Sequence, residues 1–151
     1  MTEKSYAKLD IAAHWGRLNE SVIALIDVIP DDKIDWSPRE ALWNFRGILI
    51  HIAGTRDYWM GSIVKDGDPA KSAYETARSR DEIKLELERT WDRVRRFLVD
   101  PAKLAAKYQE DAEVNGHWIA FHLLEHDIHH RADIFHYLAL LEIEHPEVGT
   151  P

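Results

Sequence analysis

Ile11-Ala12-Ala13-His14-Trp15-Gly16-Arg17-Leu18-Asn19-Glu20-Ser21-Val22-Ile23-Ala24-Leu25-Ile26-Asp27-Val28-Ile29 places large apolar residues at 11, 15, 18, 22, 25 and 29. Steps of four and three put all six on one side of an α-helix, which repeats about every 3.6 residues. A strand of period two would scatter them over both faces. The pattern predicts a helix over residues 6–29, stopped by Pro30 and the acidic pair Asp31-Asp32.

Working outward, the same period recurs three times. Asn44 stands before Phe45, Ile48, Ile52, Trp59 and Ile63, which predicts a second helix over 44–65. Just upstream, Ser37 and Glu40 have capping-box spacing with Pro38 between them, enough to open a short turn. Ser79 and Glu82 form another capping box ahead of Ile83, Leu87, Thr90, Trp91, Val94, Phe97 and Leu98, so a third helix is expected over 80–99, before Pro101. A fourth spans 116–143, ahead of Pro146. Residues 66–80, with Gly67 and Pro69, read as a loop, and 101–115 as a mixed segment with a short helical turn. No stretch reads as a strand. One domain over 1–151 follows, all-α, a four-helix bundle. A second helix of about 22 residues spans roughly 33 Å. A loop of about fifteen residues reaches up to ~50 Å. One long crossover connection can therefore set two successive helices parallel.

The chain has 151 residues, 19 basic and 27 acidic, a formal net charge of −8, nine histidines and no cysteine. An acidic balance excludes the basic footprint of a nucleic-acid binder. Local basic patches such as Arg93, Arg95 and Arg96 exist and read as a solvated helix face. No apolar run approaches the ~20 residues of a membrane span. Met-Thr-Glu-Lys-Ser-Tyr at the start lacks the apolar core of a secretory signal, so a cytoplasmic chain is expected. Without cysteine, any metal must be held by imidazole, carboxylate or backbone oxygen.

Six histidines fall between residues 117 and 136. With Ile119 set to zero on a helical wheel, Leu123, Ile134 and Tyr137 fall within about 60°, and His126 and His130 lie inside the same stripe, at about 340° and about 20°. His122, His129 and His136 lie on a flank, at about 260–300°. An imidazole in a core stripe has lost water and needs partners. Two of them one turn apart can reach one metal ion. A third ligand must come from another helix. His51, in Ile48-Leu49-Ile50-His51-Ile52-Ala53, is the one histidine set among apolar neighbours in a second helical pattern. A lone imidazole on an apolar face is more often a hydrogen-bonded core residue, and for His51 that reading stands beside the ligand reading. His14 and His145 are poorer candidates. His126-Asp127-Ile128-His129-His130 has the form H-D-x-x-H, but Asp127 falls at about 80°, and a zincin helix belongs to a fold with a sheet. A di-iron carboxylate bundle would need inward glutamates that the first two helices lack.

Ile50-His51-Ile52-Ala53-Gly54-Thr55-Arg56-Asp57-Tyr58-Trp59 and His122-Leu123-Leu124-Glu125-His126-Asp127-Ile128-His129-His130-Arg131-Ala132-Asp133-Ile134, with its H-x-x-x-H-R pattern, resemble the DinB/YfiT-like family. The resemblance covers nearly the whole chain, since length and helix order also agree. It implies an up-down-down-up bundle, a homodimer, and a divalent metal held by His51, His126 and His130. Zinc or nickel would be the first choices, with iron or manganese as further candidates. It also implies a metal-dependent enzyme, since family members include transferases and isomerases that use low-molecular-weight thiols. Where the family often has Gly and Gln after the H-R pair, this chain has Ala132 and Asp133. Asp133, at about 320°, is placed to accept from an imidazole N–H or to act as a further ligand.

Two functions are then expected to compete. One is a metal-dependent thiol S-transferase or hydrolase, in which Thr55 and Tyr58, on the His51 side of the second helix, orient the reacting group and any thiol is a co-substrate. The other is a non-catalytic dimeric protein with a stabilising or vestigial metal site. Phe121, Leu124, Ile128 and Phe135 form a second apolar stripe on the fourth helix, set off from the first by Asp127 and Arg131. That stripe suggests a symmetric dimer through this helix.

Overall fold

The computed structural model describes residues 10–70, 79–110 and 113–147. Four long helices dominate it: α1 (Ile11–Val28), α2 (Phe45–Tyr58), α3 (Arg80–Leu98) and α5 (Gly116–Leu140), with a short α4 (Pro101–Ala105) between the last two. Each begins at a residue that satisfies its orphan N–H groups. Asp10 accepts from Ala13 N at 2.9 Å, Asn44 from Gly47 N at 2.7 Å and Asn115 from Trp118 N at 2.9 Å. Ser79 and Glu82 form the reciprocal capping box that their spacing suggested. Residues 6–9 of the expected first helix lie outside the described residues, as do 71–78 of the loop before α3.

Several expectations need correction. The second helix is α-helical only to Tyr58. Trp59–Val64 winds into a wider π-helical turn, closed by Lys65 in the left-handed region at φ 55°. Ser37 makes no capping box; its hydroxyl donates to the Arg39 carbonyl at 3.0 Å, and the segment turns without entering a helix. A small antiparallel pair does exist, β1 (Lys107–Gln109) with β2 (Val114–Asn115), in register Lys107 to Asn115 and Gln109 to Val114. The fourth predicted helix ends at Leu140 rather than 143, with Glu142 turning the chain at φ 57°.

The helices bury the stripes that defined them. Val22, Leu25, Ile29, Phe45, Ile48, Ile52, Ile83, Leu87, Ile134 and Leu138 belong to one core cluster. Trp15, Leu18, Met60, Val94, Phe97, Ile119 and Leu123 belong to a second. Among the long helices, α1 packs with α3 and α5, and α2 packs with α3 and α5, while the short α4 packs between α3 and α5. Between the two core clusters, one guanidinium touches all four long helices. Arg56, on α2 and 0% exposed, donates from Nη1 to Asn19 Oδ1 of α1 at 2.8 Å and to the Leu87 carbonyl of α3 at 3.1 Å. Its Nε donates to Asp127 Oδ2 of α5 at 2.9 Å.

Arg93 is not on a solvated face. It is 2% exposed, pairs with Asp57 at 2.5 Å and Asp66 at 2.5 Å, and so fastens the chain after α2 to α3; Arg95 and Arg96 are exposed as expected. Asp127 does not separate two stripes on the surface, because it is wholly buried. Of the second stripe, Leu124 and Phe135 pack against the core, whereas Phe121 and Ile128 stay exposed. No helix among the described residues is long and apolar enough to cross a membrane.

Candidate metal centre

The sequence sets His51 in the middle of α2, and His126 and His130 one turn apart on α5. Where α2 meets α5 the three imidazoles converge. His126 Nε2 lies 2.8 Å from His51 Nε2. The His51 ring centroid is 4.8 Å from that of His130, and the His126 and His130 centroids are 4.5 Å apart. One ligand nitrogen from each of the three lies within 4.8 Å of the others. Zn–N bonds of about 2.0–2.1 Å set donors roughly 3.3 Å apart in a tetrahedron, so modest shifts of the rings would let all three reach one ion.

The donor chemistry suits a metal. Burial, joined by the neighbouring His126 and His130, pulls His51 down to about 4. His130 is also lowered, mainly by burial and by His126, against an opposing pull from Asp133. Both rings are therefore neutral near pH 7 and keep a lone pair for coordination. His130 Nδ1 lies 3.0 Å from Asp133 Oδ2, which leaves Nε2 of that ring for an ion. His129, exposed, lies 3.7 Å from the same carboxylate, so His129, His130 and Asp133 form a second, more open cluster that shares His130.

Thr55, one turn after His51, places Oγ1 3.4 Å from His126 Nε2. Tyr58 is 52% exposed and its ring lies against Trp59, so of the two α2 residues only Thr55 stands beside an imidazole of the cluster. A surface depression of about 290 Å³, lined by His122, Glu125, His126, His129 and His130, opens the site to solvent. His122, expected on the flank, stacks on Trp118 at 4.7 Å and is lowered by burial.

Three neighbours were not singled out as site residues from sequence. Trp43 sets its ring edge-on to His51 at 4.2 Å and stacks on His130 at 6.0 Å. It lies outside any helical period, so no phase argument reaches it. Asp127 and Arg56 form an ion pair at 2.7 Å immediately behind His126. Burial raises the Asp127 carboxyl, but the Arg56 charge, the adjacent His126 ring and hydrogen bonds from Arg56 and Trp15 outweigh it and hold the group below its usual range. The available signal was a carboxylate and a guanidinium standing within otherwise apolar helix faces.

Residues 14–134 match the family model of the DinB superfamily. The chain belongs to the DinB superfamily. All three converging histidines of this DinB-superfamily chain fall inside the matched region. The crystal structure of a DinB-like protein, YjoA of Bacillus subtilis, is similar with a TM-score of 0.68, covering 93% of this chain and 95% of that one. At 18% identity that likeness speaks for the fold. No curated protein matches the chain.

Proposed function

We propose that the chain is a metal-dependent enzyme in which His51, His126 and His130 hold one divalent ion, zinc or nickel first, with iron or manganese as alternatives. The observation that carries this reading is the 2.8 Å approach of two imidazole Nε2 atoms from different helices, with a third ring beside them. Such an ion would act as a Lewis acid and lower the pKa of a bound thiol or water. The chain's own residues supply the setting. Asp133 accepts the His130 Nδ1 proton, Thr55 offers a hydroxyl beside His126, and the depression past His122 and Glu125 admits a small molecule. With no cysteine in the chain, thiol chemistry requires a low-molecular-weight thiol as co-substrate, and S-transfer or hydrolysis is the reaction class.

The bundle is inferred to run up-down-down-up with a long crossover. Trp15 meets Trp91 while Asp27 meets Lys84, which supports antiparallel α1 and α3. Trp15 meets Asp127 while Ser21 meets Arg131, which supports parallel α1 and α5. Phe45 meets Tyr137 while Trp59 meets Trp118, which supports antiparallel α2 and α5. A homodimer through the exposed Phe121 and Ile128 of α5 is also proposed, for which light scattering is the measure and a monomer the refuting result.

The deciding experiment is metal analysis of the purified chain beside His51→Ala and His126→Ala. One ion per chain is expected, with loss in both variants. Unchanged metal content in either variant refutes the site. A metal-loaded chain that turns over no thiol acceptor or ester would favour the non-catalytic role.

A further inference from the structure

Asp127 uses its two oxygens unequally. Oδ2 accepts from Trp15 Nε1 at 2.7 Å and from Arg56 Nε at 2.9 Å, and lies 2.7 Å from Arg56 Nη2. Oδ1 points the other way. It lies 3.7 Å from His126 Nδ1, and both atoms are buried with no other hydrogen-bond partner. Two buried polar atoms left facing each other would each cost about 1–3 kcal/mol unpaired. A small rotation of the imidazole or the carboxylate brings them within hydrogen-bond range, about 2.7–3.2 Å.

We propose that Asp127 is the positioning residue of the metal centre: Arg56 and Trp15 clamp Oδ2, and Oδ1 holds the His126 proton on Nδ1, which frees the Nε2 lone pair for the ion. This deepens the metal-enzyme reading and rests on it. A neutral imidazole carries one proton on either of two nitrogens, and only the unprotonated one can ligate. A carboxylate that accepts from Nδ1–H fixes that choice and stops the ring from turning. His126 needs this more than its neighbour on α5, since His130 already has Asp133 at Nδ1. The assignment also settles the metal-free pair: with His126 Nε2 as acceptor, His51 Nε2–H is the donor across their 2.8 Å contact. Asp127 does not act as a general base in this arrangement, because it is fully buried and its Oδ2 is already saturated by two side chains.

The test reads the tautomer directly. Long-range 1H–15N spectra of the metal-free wild-type chain at neutral pH, assigned with His126→Gln, are expected to show His126 protonated on Nδ1. An Nε2-protonated His126 overturns the proposal. Asp127→Asn keeps an oxygen for Arg56 and Trp15 but turns an amide N–H towards His126, so the ring should switch to the Nε2–H form. Zinc affinity, read by chelator competition, should then fall about 10–100-fold. An Asp127→Asn chain with the wild-type tautomer and affinity within about twofold of wild type also overturns it. The wild-type spectrum needs no substitution, so the proposal stays open to refutation even where Asp127→Asn does not fold. It also needs no metal, so failure here is distinct from failure of the three-histidine site, which His51→Ala reports.

Discussion

Tyr137 donates its phenolic hydrogen to the backbone carbonyl of Trp43 at 2.9 Å. The bond ties the segment before α2 to the far end of α5. It thereby sets the Trp43 ring against two of the three converging histidines, with the residue still 49% exposed to solvent.

Trp43 should therefore report metal binding. Adding Ni2+ to the metal-free chain is expected to quench tryptophan emission, and Trp43→Phe should remove most of that change while leaving the bound metal intact. Equal quenching in wild type and variant would place the ion elsewhere.

Arg56 should be the most costly polar residue to lose. Arg56→Met leaves Asp127 charged, buried and without its cation, a change that costs about 3–5 kcal/mol. Arg56→Lys should rescue little, because a single ammonium cannot reach Asn19, the Leu87 carbonyl and Asp127 together. Urea midpoints of the three chains check this.

Acid should weaken the α2–α3 junction through Asp66. Burial alone would raise its carboxyl, but hydrogen bonds from Arg93 and the Asp68 backbone hold it below the ordinary 3.8. The unfolded chain then binds the proton more readily, so this contribution is complete above pH ~4 and fades as pH falls through the folded value. Asp66→Asn should show a lower urea midpoint at pH 6 and a shallower decline between about pH 4 and pH 3 than wild type.

Two glycines should respond oppositely to alanine. A Cβ on Gly116 would collide with the Lys103 carbonyl and the Leu104 backbone of α4, so Gly116→Ala should cost about 1–3 kcal/mol. A Cβ on Gly16, inside α1, would meet, among the described residues, just Trp91 at an ordinary 3.6 Å, so Gly16→Ala should raise stability by about 0.5–1 kcal/mol. Thermal melts of the two variants separate these outcomes.

The long helices were legible because each rests on a local signal, and so were the starts of α2 and α3 at Asn44 and Ser79; the start of α1 was set too early, since Asp10 caps a helix that begins at Ile11. A period near 3.6 marks the stripe of Trp15, Leu18, Val22 and Leu25, and a short polar side chain marks the caps at Asn44 and Ser79. His126 and His130 were legible for the same reason, as members of one stripe. Arg56, Arg93 and Asp127 were not. A helical wheel sends charge to water, because burying one alone is prohibitive. What makes their burial tolerable is a partner 71 residues away for Arg56, and 27 and 36 residues away for Arg93. No local period pairs such positions. The strands at 107–109 and 114–115 were missed because three and two residues are too few to show alternation.

The place of Arg56 also bears on how the chain comes apart. A guanidinium that donates to α1, α3 and α5 from its seat on α2 loses bonds whichever of the other three helices detaches. Partial opening of any one helix is thus penalised at the same atom group, and the long helices should behave as one cooperative unit. In native-state hydrogen exchange, the slowest amides of α1 and α5 should share a single opening free energy, equal to that of global unfolding. Regions without a bond to that hub, such as the β1–β2 pair, should exchange through smaller and independent openings.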